Sequence, residues 1–492
     1  MRPESGMTAR ANLPENELGD ISNESFRRHL HEVADWIADY RERILDRPIS
    51  PTAEPGAIIA RLPKTAPELG EPLEGILRDV DQILVPGVVH WGHPRFMGYF
   101  GSTTTAPGIL AEMITAALNV NAMTWRTSPA ANELETLVLS WLRQWLDLPA
   151  AFGGVVYDTA SIATMHALAA AREAAGDSIR EAGLAGRGLP QFRIYASDQA
   201  HSSIEKSAIA LGLGESNVRR VASDAEFRMR LPALEETIAE DVRQGFRPLA
   251  VVAMVGTTST AAVDPVAEIA AICRRHGLWL HIDAAYGGGL ALLPEMAWIK
   301  AGWAEADSLV INPHKMLFVP FDFSALYVRD VERLRKVFSL VPAYLRGDTV
   351  DAETNYMDYG VPLGRRFRAL KAWMVWRTFG RQGLAARIRE HVRLAHLFAE
   401  WVRTDARLEM LAPVVMGVVC FGFAGGRATV PDTRGAELVK ELNRSGKTYL
   451  TQTQLHGREA IRLGLGNILT TEDDVRFVWE LIQKSVAGNA SG

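Results

Sequence analysis

The sequence predicts an α/β protein built on a mostly parallel sheet. Short β-rich runs alternate with helical runs through the middle of the chain, the pattern of strands joined by crossover helices and covered on both faces. Thr258, Asp283 and Lys315 fall at or just past the ends of the expected strands, where open α/β sheets bind ligands.

The elements follow in order. Phe26, Leu30, Val33, Ile37, Tyr40 and Ile44 recur at steps of three and four, so 22–46 reads as an amphipathic helix, capped by Ser22 or Asn23 and stopped by Pro48 and Pro51. No second strong helix follows until after Pro67, so its apolar stripe is expected to pack either on a partner subunit or on its own chain. A strand is expected at 192–196, a helix at 203–210, and a strand at 249–255 ending in Gly256-Thr257-Thr258-Ser259. Asp264-Pro265 offers a helix cap with proline at the first turn, and Gly277 closes that helix. Strands at 278–282 and 308–311 end at Asp283 and Asn312. Residues 337–364 are polar, contain Gly and Pro and lack either period, which reads as a lid. A helix is expected at 369–379, then an α+β unit with strands near 407–423 and 459–465 and helices near 434–445 and 471–486.

Composition narrows the function. Across 492 residues, 53 Lys+Arg against 58 Asp+Glu leave a net charge of −5, which argues against a binder of nucleic acid or anionic membrane. Hydrophobic residues at 48% and charged residues at 23% exclude wholesale disorder. The two cysteines, Cys273 and Cys420, lie far apart in apolar contexts; a disulfide framework does not fit them, and a reducing cytoplasm is expected. Residues 1–25 carry acids and no apolar core, so they do not read as a signal peptide, and Leu249–Val255 falls far short of the ~18 residues that span a bilayer.

The chemistry concentrates at strand ends. Lys315, in Asn312-Pro313-His314-Lys315, has Ile311 before it and Met316-Leu317-Phe318-Val319 after it. Desolvation there lowers an amine's pKa, and a neutral amine attacks carbonyl compounds. Asp283 closes an apolar strand and is followed by small residues that leave room for a flat ring, whose nitrogen it could keep protonated. Thr159-Ala160-Ser161 opens a helical run, and free N–H groups and hydroxyls there suit a phosphate. His201 alone reads as a hydrogen-bonded core histidine. An imine-forming lysine, a ring-nitrogen acid, a phosphate cup and a histidine that can stack are the set that pyridoxal phosphate requires.

These residues lie in the strings HPRFMGYF (93–100), SPAANELE (128–135), SDQAHSS (197–203), GTTSTAAVDP (256–265), HIDAAYGG (281–288), NPHK (312–315), FDFSALYV (321–328) and PLGRRFRALK (362–371). Over residues 22–486 the chain resembles the group II pyridoxal-phosphate decarboxylases, most closely the aromatic-L-amino-acid branch. The resemblance implies a type I aminotransferase-like fold with an N-terminal helical segment (1–104) packing on the partner, a large cofactor-binding domain (105–372) and a C-terminal α+β small domain (373–492). It also implies a homodimer with shared active sites. Lys315 would hold the cofactor as an imine, Asp283 would pair with its ring nitrogen and His201 would stack on the ring. Thr159, Ala160, Ser161 and Asn312 would hold the phosphate, with His314 beside them, while Thr258 and Ala285 would line the ring. Tyr344 would reprotonate the substrate Cα from the lid, and Gly364 would approach from the partner. Trp91, Tyr99, Phe100 and Met123 would form the side-chain pocket.

Met123 stands where aromatic-specific members tend to carry phenylalanine, Gly101 replaces a common proline, and Met316 replaces the tryptophan that usually follows the lysine; all three loosen the implied pocket. Gly364 leaves room for an indole. Asp158, an acid beside the phosphate cup, is expected to point away. No further pocket arginine is apparent, which weighs against an acidic substrate, and the retention of Tyr344 and His201 weighs against an aldehyde synthase. A metal hydrolase using His281, Asp283 and His314 would leave Lys315 and the phosphate cup unused, and a silent scaffold would need none of these groups. Arg365, Arg366 and Arg368 are expected to be solvated or to pair across a dimer.

Overall fold

The computed structural model describes residues 20–340, 354–426 and 433–488. Its larger sheet has seven strands: β1 (Gly153–Tyr157), β2 (Phe192–Ser197), β3 (Val218–Val221), β4 (Arg247–Met254), β5 (Trp279–Asp283), β6 (Ser308–Ile311) and β7 (Ser324–Val328), in the order β1-β7-β6-β5-β4-β2-β3. From β3 to β6 every neighbouring pair is parallel, and β7 runs antiparallel to β6 and β1. β2, β5 and β6 are buried along their whole length, as a sheet covered on both faces requires. The alanine-rich helix Ala160–Ala174 packs across β4 to β7, and helices Leu231–Arg243 and Val266–His276 pack on β4.

A smaller antiparallel sheet, in the order β10-β11-β9-β8, contains β8 (Leu408–Met410), β9 (Val418–Phe423), β10 (Thr451–Leu455) and β11 (Arg458–Gly464). It has its own core, in which Phe398 meets the rings of Phe421, Trp401 and Trp479. Phe96 forms a parallel bridge to Tyr449, and Met97 O accepts from Gly464 N at 2.8 Å. This pairing pins the N-terminal segment to the small sheet and carries Trp91 and Tyr99 to the gap between the two sheets.

The first helix, Asn23–Glu42, is capped by Ser22, which accepts from Ser25 N; it ends before Pro48, giving way to a short turn over Ile44–Asp46. Its expected stripe is bare at the start, with Phe26 52% and Leu30 39% exposed, but Val33, Ile37 and Tyr40 are half-buried and Ile44 is buried within the chain. Asp264 caps no helix: its buried carboxylate accepts from Met229 N (2.7 Å) and Met254 N (2.8 Å), tying the β3–β4 connection to the end of β4. Of the stretch expected as a lid over 337–364, Val337 and Phe338 instead end the helix Val331–Phe338, and Tyr356–Tyr359 forms a buried turn packed against that helix. Residues 341–353 lie outside the described residues. The helix expected over 369–379 runs on to Thr404, broken at Gly380 (φ 61°, ψ 168°), and β10, which no sequence period marks, completes the small sheet.

Phe398→Ala should lower stability by about 3–5 kcal/mol, the range for losing a buried phenylalanine. Urea unfolding followed by far-UV circular dichroism tests this, and an unchanged midpoint would show the small core to be loosely packed.

Candidate active site

The cavity between the two sheets has a volume of about 1000 Å³. At its back lie the ends of β4, β5 and β6, with Met254, Asp283 and Asn312. Lys315 follows Asn312 in a single turn of helix and lines the same cavity. Burial lowers the Lys315 pKa to about 8; Asp283 opposes the fall and Arg462 adds to it. Near physiological pH a far larger share of this amine is neutral than of an ordinary lysine, whose pKa is 10.5. The ammonium form sits 4.9 Å from the centre of the Phe100 ring, which stacks on Tyr286 at 3.9 Å. Asp283 is 4% exposed and accepts from Ala285 N at 3.0 Å, which turns its carboxylate at the strand tip.

His201 is not the core histidine that its sequence context alone suggests: its ring is exposed at the cavity. Burial of part of the ring lowers its pKa, against a raising effect from Asp283 and with Lys315 assisting. The Nδ1 atom accepts from Ser203 N at 3.1 Å, which leaves the proton of the neutral ring on Nε2. His314 is neutral too, pushed down to about 3 chiefly by burial, and its Nδ1 accepts from Phe323 N at 3.0 Å.

At the other end Thr159, Ala160 and Ser161 open the Ala160–Ala174 helix on the cavity wall. Asp158 folds back to accept from Thr159 N at 2.6 Å, so the acid beside the cup takes one of the free donors. Asn312 Oδ1 accepts from Ser324 Oγ at 2.7 Å, which orients the amide. Gly287 and Gly288 make no room for a ring. They are packed so closely that an added Cβ would meet Val255 O or Ile311, and Ala285 is the small residue that faces the cavity.

The structure brings together Trp91, Tyr99, Phe100, Thr159, Ala160, Ser161, His201, Thr258, Asp283, Ala285, Asn312, His314 and Lys315. Met123 and Gly364 are not brought to this cavity. Both lie by Asn121, whose Nδ2 is 3.5 Å from Met123 Sδ and would be 3.9 Å from a Cβ on Gly364. Tyr344 lies outside the described residues. The expectation that no further arginine enters the pocket is wrong. Buried Arg462, on β11, lines it, donating to Ser259 O (3.0 Å) and Tyr99 O (2.6 Å) and standing 4.7 Å from the Phe100 ring centre. It holds Tyr99 in a left-handed conformation (φ 50°) that costs a non-glycine residue about 1–2 kcal/mol. Tyr449 was missed as well. Arg462 comes from the small sheet and Tyr449 from the segment that leads into β10, and only the strand expected near 459–465 gave any signal. His281 is committed to Ser308 and Thr164, and among the described residues no three metal-ligating side chains gather.

An amine of depressed pKa, a strand-end carboxylate, a neutral histidine and a helix start around one cavity define an enzyme of the carbonyl-cofactor class, and the donor set fits pyridoxal phosphate. The chain belongs to the pyridoxal-dependent decarboxylase family, whose conserved domain matches residues 55–424. It is 39% identical over 479 residues to an aromatic-L-amino-acid decarboxylase of Bos taurus, covering 94% of this chain and 96% of that one. A phenylacetaldehyde synthase of Arabidopsis thaliana is 36% identical over 482 residues, covering 96% and 97% of the two chains. Among solved structures, an Oryza sativa TDC with PLP and tryptamine superposes with a TM-score of 0.90 at 36% identity, over 95% of this chain and 99% of that one.

Labelling of Lys315 in the cofactor-free protein by an amine-directed reagent, read by mass spectrometry, should rise with pH through about 8. Asp283→Asn removes the charge that favours the ammonium and should move that midpoint lower. A midpoint near the ordinary 10.5 would contradict the burial argument.

Proposed function

We propose that this enzyme decarboxylates an aromatic L-amino acid to its amine and carbon dioxide. The observation that carries this reading is Lys315, its amine pKa depressed, in one cavity with Asp283 and an aromatic wall. In that wall the Trp91 ring stacks on Tyr99 at 5.4 Å and Tyr99 lies 6.1 Å from Tyr449. Such walls take a flat, apolar side chain, and relatives that bear aromatic decarboxylase names or hold tryptamine support the same class.

Pyridoxal phosphate, when bound, supplies a ring that accepts the electron pair left as carbon dioxide departs. Thr159, Ala160, Ser161 and Asn312 would hold its phosphate, and His314 borders them. Lys315, neutral, is the amine that would hold the cofactor and give way to the substrate amine. Asp283, buried at the strand tip, would favour a proton at the ring nitrogen. His201, fixed by Ser203 N, would cover the ring, and Thr258 and Ala285 would border it. Tyr344 delivers the proton to Cα that makes the product an amine. Arg462 holds Tyr99 and the Thr258 loop in place.

An acidic substrate fits less well. Two edges of the Arg462 guanidinium are already bonded to backbone carbonyls, although its Nη2 is buried without a partner. The retained tyrosine at 344 and histidine at 201 favour amine over aldehyde.

The working unit is a homodimer in this reading. Leu110, Ile114 and Leu118 form an exposed row on the helix Ala106–Leu118, Phe26 and Leu30 form another, and Met123 and Gly364 lie outside their own chain's cavity, free to serve a partner's. Both cysteines are buried and free, in keeping with a cytoplasmic setting. Among the described residues no helix is long and apolar enough to cross a membrane.

Carbon dioxide release from tryptophan, 5-hydroxytryptophan, phenylalanine, tyrosine, dopa and glutamate, with the cofactor added, tests the function. At least one aromatic substrate should react, and Lys315→Ala should lose both visible absorbance and turnover. Tyr344→Phe should shift the product from amine toward aldehyde; unchanged amine output would remove Tyr344 from the mechanism. Ile114→Asp should convert the dimer to an inactive monomer by sedimentation velocity, and a fully active monomer would refute shared sites.

A further inference from the structure

The cations of the run Arg365–Lys371 pair within the chain; Arg366 keeps the solvation expected of it, at 56% exposed, whereas Arg365 and Arg368 are largely buried. Arg365 joins buried Glu135 at 2.7 Å, Arg366 joins Glu112 at 2.7 Å, and Arg368 makes a two-pronged contact to Asp322 at 3.1 Å on each prong. Lys371, whose side chain is 1% exposed, reaches both of the latter carboxylates: its Nζ donates to Glu112 Oε1 at 2.6 Å and lies 3.8 Å from Asp322 Oδ1. Glu112 belongs to the helix Ala106–Leu118, and Asp322 to the loop that follows Lys315.

That loop forms part of the active site. Phe321 lines the cavity and meets the His314 ring at 4.7 Å between ring centres. Phe323 N donates to His314 Nδ1, and His314 N donates to Phe323 O at 3.4 Å, so position 314 and the loop are laced together in both directions. The same loop rests on the Ala106–Leu118 helix: Thr105 Oγ1 donates to Phe318 O at 3.2 Å, and a Cβ on Gly108 would overlap the Pro320 ring. Phe318 holds a left-handed backbone (φ 56°), which a phenylalanine does not keep without such support.

We propose that Lys371 is a positioning residue for this active site, bridging Glu112 and Asp322 so that the 318–323 loop holds His314 and presents Phe321 to the cavity. Among the described residues, Arg366 reaches only Glu112 of this pair and Arg368 only Asp322, so Lys371 is the ionic link between these two carboxylates, beside the Thr105 and Gly108 contacts of helix and loop. A buried amine that shares two carboxylates fixes their separation more tightly than two independent surface pairs do. The proposal rests on the reading of the cavity as a site for pyridoxal phosphate and an aromatic amino acid.

The test uses Lys371→Met in the full-length protein, with dimerisation and far-UV circular dichroism checked first. Titration of the cofactor-free protein with pyridoxal phosphate, followed by absorbance, should show about tenfold weaker binding, and KM for the preferred amino acid should rise by a similar factor while kcat changes less, the size of effect expected for coupled neighbours. If Lys371 acts through Asp322, the double variant with Asp322→Asn should lose little more than Lys371→Met alone. A folded Lys371→Met protein with cofactor affinity and KM like the parent's would overturn the proposal, as would losses that multiply in the double variant. Should Lys371→Met not accumulate as folded protein, Glu112→Gln asks the same question at a carboxylate that is 30% exposed; an unchanged cofactor titration there would also overturn it. A parent protein that binds no pyridoxal phosphate would instead remove the functional reading.

Discussion

The structure depends on the charge state of one amine. Lys315 is placed at the end of β6 by a single helical turn, where burial opposes the ammonium form and the nearby carboxylate of Asp283 favours it. The balance falls near neutrality, which a nucleophilic amine needs. Deeper burial would leave the lysine without a stabilised cationic form, and a second acid would hold it protonated. His201 and His314 are both pushed toward the neutral form beside it, so these histidines add no positive charge next to the amine.

Around that amine the chain brings together three regions far apart in sequence. The sheet ends supply Asp283, Asn312 and Lys315; the N-terminal segment supplies Trp91, Tyr99 and Phe100; and the small sheet with the segment leading into it supplies Arg462 and Tyr449. Arg462 joins them, since one guanidinium bonds the carbonyl of Tyr99 from the first aromatic segment and that of Ser259 from the loop after β4. Removing it would release a strained tyrosine and the Thr258 loop together. The pocket therefore depends on both sheets being folded.

Much of this was legible in the residues. β6 and the helix at 203–210 have the expected bounds, and Thr258, Asp283 and Lys315, expected at strand ends, line a common cavity. What stayed hidden had physical reasons. Asp264 followed by proline has the composition of a helix cap, yet its carboxylate serves two backbone N–H groups from other segments, and local sequence cannot record such a tertiary use. Arg462 and Tyr449 are recruited across more than a hundred residues, so no spacing rule reaches them. The basic run 365–371 looks like a solvated patch because its partners, Glu112, Glu135 and Asp322, are dispersed along the chain. Of the small residues after Asp283, Ala285 does face the cavity, whereas Gly287 and Gly288 make room for the protein's own packing.

The central claim is most directly tested by borohydride reduction of the protein equilibrated with pyridoxal phosphate, followed by peptide mapping. The account predicts a single pyridoxyl label on Lys315, absent when residue 315 is alanine. A label on another lysine, or a reduced protein that carries none, would contradict it.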